Sequence, residues 1–247
     1  MSLVETDWLE KNLNNVRVLD CSWHMPQTKR NGFEEYKQHH ISKAIFFDLD
    51  DNSNKNTSLP HMLVEKSDWE KIVGKMGIKK NDKIVIYDNS DVVSSCRCWF
   101  NFIYFGHDPK LIYVLNGGLN KWIKEKRKVT KNLPIIKQSH YECFEIKELV
   151  KNKIFIDENI NDQKFKVIDA RSKERFEGKI PEPRENLRSG NIKKSLCIPF
   201  NLCLNEDKTF KKKEDLKNIF KTRLENIEEK NIVFSCGSGV TACVFAL

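Results

Sequence analysis

The chain has 247 residues, 39% of them hydrophobic and 32% charged, with a formal net charge of +8; this is long for one α/β domain and enough for two of about 120 residues. No apolar run approaches the roughly 20 residues of a membrane span, and the opening residues have neither the basic nor the apolar region of a secretory signal, so the cytoplasm is the expected compartment. Basic residues are scattered, and clusters such as Lys211-Lys212-Lys213 adjoin Glu214-Asp215, which describes a solvated helix face; neither nucleic acid nor membrane is an expected partner, whereas the positive field favours small anions.

In chain order the predicted elements form a unit that recurs. Val16 to Cys21 is a β-branched strand run, His40 to Phe47 a loop and second strand, Lys66 to Met76 a helix, and Ile84 to Tyr87 a buried strand ending at Asp88. A helix follows over Ser95 to Phe105, whose Trp99, Phe100, Phe102, Tyr104 and Phe105 read as core and not as a stacking platform. Then come a strand over Leu111 to Leu115, the turn Asn116-Gly117-Gly118 and a helix around Trp122; no Lys-Ser/Thr follows the glycines, so this is not a phosphate loop. Residues 127–140 are basic, contain Pro134 and lack a clear period, which suggests a linker between domains at 1–126 and 141–247.

Three segments then return at an offset of about 150 residues: Phe165 to Ala170 repeats Val16 to Cys21, Asn191 to Ile198 repeats His40 to Phe47, and Ile232 to Ser238 repeats Ile84 to Ser90. A helix over Glu214 to Leu224 lies between the last two. Strands alternating with helices predict parallel sheets with crossover helices, hence two α/β domains. The repeat sets Asp88 where the second copy has Cys236, so only the second carries a nucleophile. It also predicts an incomplete second domain, because the strand and helix that follow Ser95–Phe105 in the first copy have no counterpart before Leu247. The expectation is a fragment with an open sheet edge beside Cys236, poorly soluble or inactive as it stands.

The eight cysteines are at 21, 96, 98, 143, 197, 203, 236 and 243, with no Cys-x-x-Cys pair; reduced thiols are expected, and neither a metal nor a cofactor. Cys236 stands apart. It follows the strand run Ile232-Val233-Phe234 and opens Cys-Gly-Ser-Gly-Val-Thr-Ala-Cys, a glycine-rich turn leading into a helix. Backbone N–H groups and the positive helix end at such a junction stabilise a thiolate, the nucleophilic form. A cysteine phosphatase would need an arginine six residues on to clamp phosphate, and position 242 is alanine.

On Cys236 to Ala242, Asp169-Ala170-Arg171, Arg175-Phe176 with Pro181-Glu182-Pro183-Arg184, and the first-half motifs Phe46-Phe47-Asp48-Leu49-Asp50, His61-Met62-Leu63 and Gly117-Gly118-Leu119, the chain resembles the tandem-domain sulfurtransferases of the rhodanese superfamily. The resemblance implies two rhodanese-like domains, each a parallel sheet with helices on both faces. It also implies a persulfide on Cys236, with the backbone of Gly237, Ser238, Gly239, Val240 and Thr241 around the sulfur. Members specialised for thiosulfate carry a basic pair after the cysteine, whereas the neutral Gly237-Ser238 is similar to members that use 3-mercaptopyruvate. That donor is therefore expected, with thiosulfate as the alternative, and the acceptor would be a thiol such as thioredoxin or a small thiol. A sulfur carrier without small-molecule turnover is the non-enzymatic alternative.

Carried over residue by residue, Arg175 and Arg184 would hold the donor's carboxylate, against the plain alternative of two solvent-facing arginines. Ser238, His61 and Asp50 would relay a proton; for His61 the alternative is a surface histidine, and for Asp50 a solvated acidic turn with Asp48 and Asp51. Asn191 replaces the histidine that usually opens the His-Ile-Pro-Gly turn, and Lys193-Lys194 replaces its Pro-Gly, departures that bear on stability more than on chemistry.

Overall fold

The computed structural model describes residues 2–184, 187–224 and 231–247. The first half contains β1 (Leu3–Val4), α1 (Thr6–Asn12), β2 (Arg17–Asp20), α2 (Gly32–Gln38), β3 (His40–Ile41), β4 (Ala44–Phe46), α3 (Lys66–Lys75), β5 (Ile84–Tyr87), α4 (Ser95–Tyr104), β6 (Ile112–Leu115), α5 (Gly118–Lys124) and β7 (Val129–Thr130). The second half adds α6 (Lys153–Asp162), β8 (Lys166–Asp169), α7 (Lys173–Phe176), β9 (Leu196–Cys197), α8 (Lys213–Lys221), β10 (Ile232–Ser235) and α9 (Cys243–Ala246).

All four residues of β5 are apolar and all are buried, the composition of a strand covered on both faces of a parallel sheet. Its neighbours give the order β1-β6-β5-β2-β4, every pairing parallel. On one face α3 and α4 supply Trp69, Phe102 and Phe105; the Trp69 ring stacks on Phe105 at 4.7 Å and meets Phe102 edge-on at 5.0 Å. On the other face α1, α2 and α5 bury Leu9, Tyr36, Leu119 and Trp122. Each such side chain contributes about 1.5–3 kcal/mol on leaving water. This is an α/β layer structure with helices on both faces.

The second sheet has the order β10-β8-β9, again parallel. Its register repeats that of the first. Arg17 pairs with Ile84 as Lys166 pairs with Ile232, and Asp20 pairs with Phe46 as Asp169 pairs with Cys197. Even the turn before the third strand of each set is reproduced, with Lys43 at φ 66° and Lys194 at φ 65°. The five strands of the first sheet become three here, and among the described residues β10 has no outer neighbour in the place that β6 takes beside β5.

The stretch read as a linker is partly ordered onto the first sheet's unit. Val129–Thr130 pairs antiparallel with His40–Ile41, Ser139 N–H donates to Gly74 O at 2.9 Å, and Tyr141 and Cys143 are buried in the α3–α4 core. Two-residue strands carry too little pattern to be read from composition alone.

The halves meet through equivalent elements. α4 follows β5 as α9 follows β10, and these two helices pack on each other, burying Val93, Cys96, Cys243 and Val244 with Leu204. Loops are exchanged across the contact. His61 of the first half reaches Ser238, while Phe210 N–H of the second donates to Asn116 Oδ1 at 2.9 Å and Lys208 pairs with Asp91 at 3.3 Å. Each half thus lends a loop to the other across the α4–α9 contact.

Candidate active site

Cys236 lies at the C-terminal end of β10, where parallel α/β sheets place ligand sites. The chain turns sharply after it because Gly239 takes φ 76°, a left-handed value that costs glycine nothing. That turn points the Gly239 N–H at Cys236 Sγ, 3.1 Å away. The five N–H groups of residues 237–241 were expected around the sulfur; among the described residues the donor found on it is Gly239, and the helix starts only at Cys243, after turns through Ala242. Val240 is buried in the first half's core, which pins the loop across the interface.

The equivalent turn of the first half is closed by its own side chain. Asp88 is buried, and its carboxylate oxygens accept from Ser90 N–H at 2.7 Å and Ser95 N–H at 2.9 Å. Burial pushes the Asp88 carboxyl up, against those hydrogen bonds. A carboxylate thus stands where the second half has its sulfur, and it draws on the backbone N–H groups of its own turn.

Above the Cys236 loop, His61 Nδ1 is 3.0 Å from Ser238 Oγ, and His61 Nε2 is 2.9 Å from Asp50 Oδ1. Trp23 Nε1–H donates to Asp50 Oδ2 at 2.9 Å, and the indole meets the His61 ring edge-on at 4.8 Å. The hydrogen bond from His61 holds the Asp50 carboxyl below its ordinary range, with Trp23 adding to it against partial burial. Asp50 is therefore an acceptor at neutral pH; an imidazole that carries its one N–H toward Asp50 would have Nδ1 left to accept from the Ser238 hydroxyl. His61 is buried, and the Asp50 side chain is the one that reaches it; Asp48 instead accepts from Asp51 N–H at 2.9 Å.

A small cleft of about 70 Å³ opens over the sulfur, lined by Cys236, Gly237, Ser238, Val240 and Thr241 together with Arg175, Arg184 and the first half's Trp23 and Val92. The two arginines are held differently. Arg175 Nη2 and Nε donate to Glu182 at 2.5 and 3.2 Å, and Glu182 is also bound by Arg171 Nη1 at 2.8 Å, itself paired with Asp169 at 2.6 Å. Burial pushes the Glu182 carboxyl up, but Arg175 and Arg171 outweigh it and hold it below its ordinary range. Two carboxylates thus balance two guanidinium groups. Arg184 has no carboxylate within ion-pair distance among the described residues; its Nη1 donates to Gly237 O at 3.3 Å. Burial and the neighbouring Arg175 both lower its pKa. It is the cation with charge to spare.

Three residues here escaped the sequence reading. Trp23 sits in an unpatterned loop and gave no signal. Glu182 was visible only as part of a Pro-Glu-Pro run. Arg97 was legible in principle, as a lone charge inside the apolar stretch Ser95-Cys96-Arg97-Cys98-Trp99, because a buried charge on a helix needs a partner.

Comparison with known proteins places this geometry in context. A family model described as the rhodanese-like domain matches residues 5–125 and 155–247. A curated relative from Arabidopsis thaliana, thiosulfate/3-mercaptopyruvate sulfurtransferase 1, mitochondrial, is 38% identical over 99% of this chain and 70% of its own length. The 3-mercaptopyruvate sulfurtransferase of Homo sapiens is 31% identical, and the thiosulfate sulfurtransferase of Bos taurus 33%, each over 100% of this chain and 84% of its own length. Among solved structures, SseA from Escherichia coli, described under the rhodanese fold of 3-mercaptopyruvate sulfotransferases, superposes with a TM-score of 0.89 at 26% identity, covering 100% of this chain and 92% of that one. Among the described residues no helix is long and apolar enough to cross a membrane.

Proposed function

The chain belongs to the rhodanese-like family and is a sulfurtransferase, and on that premise we propose that it takes sulfur from 3-mercaptopyruvate, holds it as a persulfide on Cys236 and passes it to a thiol, or to cyanide in an assay. The observation that carries this reading is the hydroxyl–imidazole–carboxylate chain Ser238–His61–Asp50, assembled on a loop whose residues after the nucleophile are neutral. A thiosulfate dianion leaves as sulfite and requires no proton on carbon. Mercaptopyruvate requires one, and a relay next to the nucleophile supplies it.

In this mechanism Arg184, with the free edge of Arg175, orients the donor carboxylate. The Cys236 thiolate attacks the donor sulfur; the S–S bond forms, and the C–S bond pair passes to the methylene carbon, giving the pyruvate enolate. The donor's thiol proton leaves through Ser238 and His61 and returns to that carbon. The products are pyruvate and a Cys236 persulfide anion, so charge and atoms balance. Asp50 steadies the imidazolium formed on the way, and the Gly239 N–H faces the sulfur that bears charge. The same reading keeps 1–126 as a non-catalytic unit, 127–140 as linker and 141–247 as the unit bearing the nucleophile. A reducing compartment, such as the cytoplasm, suits its eight free thiols.

The second reading is a thiosulfate sulfurtransferase, favoured by relatives of that name at similar identity. The test measures pyruvate release from 3-mercaptopyruvate with a dithiol acceptor beside thiocyanate formation from thiosulfate and cyanide, for the full-length protein and for its Cys236→Ser variant. Activity dominated by mercaptopyruvate and lost in the variant is expected. Preference for thiosulfate would overturn the donor assignment, and alkylation of Cys236 without turnover would leave a sulfur carrier.

A further inference from the structure

Arg97 is a cation buried at the contact between the halves. It projects from α4, is 8% exposed, and has no carboxylate within ion-pair distance among the described residues. Burying a guanidinium without a counter-charge is costly, so its hydrogen bonds mark what the position is for. Nη2–H donates to His61 O at 2.6 Å and Nη1–H to Gly239 O at 3.3 Å. The Nε atom is buried without a partner, and the guanidinium lies over the Phe100 ring at 5.8 Å.

Both carbonyls belong to residues held in unusual backbone. His61 is at φ 56°, a left-handed value that side chains rarely adopt, and Gly239 is at φ 76°. His61 carries the imidazole that meets Ser238, and Gly239 carries the N–H that meets Cys236 Sγ. One planar group therefore spans the backbone of the relay and the backbone of the nucleophile's donor, from opposite halves of the molecule. Lysine, a point charge, cannot bridge the two carbonyls as a guanidinium does. A side chain at 239 would also displace it, since a Cβ there would stand 2.6 Å from Nη1.

We propose that Arg97 is a positioning residue for the sulfur-transfer reaction, clamping the His61 loop to the Gly239 turn so that the relay and the sulfur's N–H donor are aligned together. The proposal rests on the sulfurtransferase reading above. Arg97 does not line the cleft over Cys236, so the effect falls on turnover and not on donor binding.

The experiment compares Arg97→Met and Arg97→Lys with the unaltered chain, alone and combined with His61→Gln, using 3-mercaptopyruvate and a dithiol. Thermal midpoints are recorded for each, and Arg97→Lys carries the test if the methionine variant does not fold. Turnover is expected to fall about 10- to 100-fold in Arg97→Met, with KM within about threefold and lysine restoring only part of the loss. Adding His61→Gln to Arg97→Met should cost little more, because both changes disable one unit. Unchanged kcat, a rise in KM alone, or losses that multiply would overturn the proposal. Iodoacetamide alkylation of Cys236 supplies a readout independent of the donor: it should slow in Arg97→Met as the Gly239 N–H leaves the sulfur. Unchanged alkylation sinks the clamp even if no donor is turned over, whereas slowed alkylation without turnover in the unaltered chain would fault the function and leave the clamp standing.

Discussion

Equivalent aspartates end β2 and β8, and the surroundings of each decide what it costs. Asp169 faces the Arg171 guanidinium at 2.6 Å, while Asp20 accepts from Ser22 N–H at 3.0 Å and Oγ–H at 2.6 Å and meets no cation among the described residues. Burial pushes the Asp20 carboxyl up to about 6, against those hydrogen bonds. Its folded value thus lies above the unfolded one, so the folded state holds the extra proton in the window between about 4 and 6, and stability falls as pH rises through it. Above that window the charged carboxylate costs on the order of 1–3 kcal/mol. Asp20→Asn keeps an acceptor for Ser22 and removes the charge. We expect it to raise the urea midpoint at pH 7.5 and to leave it nearly unchanged at pH 4, and equal shifts at both would refute the assignment. Nothing in the sequence distinguishes the two aspartates except the residue two places on, Ser22 or Arg171.

At the scale of elements, strands with unbroken apolar runs were legible because burial on both faces leaves no other composition open: β5 is the example, and by repetition β10 followed from β5 and β8 from β2. The β3–β7 pairing was not, since two residues cannot display a period. The meeting of His61 with Ser238 was suggested by resemblance alone, as no local pattern relates residues 177 positions apart. Asn191 shows a substitution that keeps its task. Its Nδ2–H donates to Phe176 O at 3.0 Å, much as His40 Nδ1 meets Tyr36 O at 2.7 Å. Lys194 is another matter. At φ 65° it occupies a place where glycine is free of strain. Lys194→Gly should stabilise the chain by up to about 1 kcal/mol, read as a higher denaturant midpoint with kcat and KM unchanged; a lower midpoint would show that the lysine side chain contributes more than its backbone costs.

For the whole molecule, the site is shared. Cys236, Ser238, Arg175 and Arg184 come from one half, and His61, Asp50, Trp23 and Arg97 from the other. A polypeptide of residues 141–247 lacks the proposed relay and clamp, and it exposes the apolar side of α9 that α4 covers. We expect it to lose at least a hundredfold in kcat, since general acid–base assistance and alignment are both removed; turnover within tenfold of the full chain would show that the second half works unaided. Beyond what resemblance suggested for His61, the exchange of loops was not legible, because it depends on how the two sheets face each other and short-range pattern carries no information on that.

Seated as proposed in a cleft walled by both halves, the donor becomes a fastener. A molecule seated between Trp23 and Val92 on one side and Arg175 and Arg184 on the other gains its affinity only while the halves are closed. Its binding energy is therefore lent to their docking, by about 2.7 kcal/mol at a hundredfold excess over Kd. The interface should therefore breathe most with the cleft empty and least with the donor seated in it.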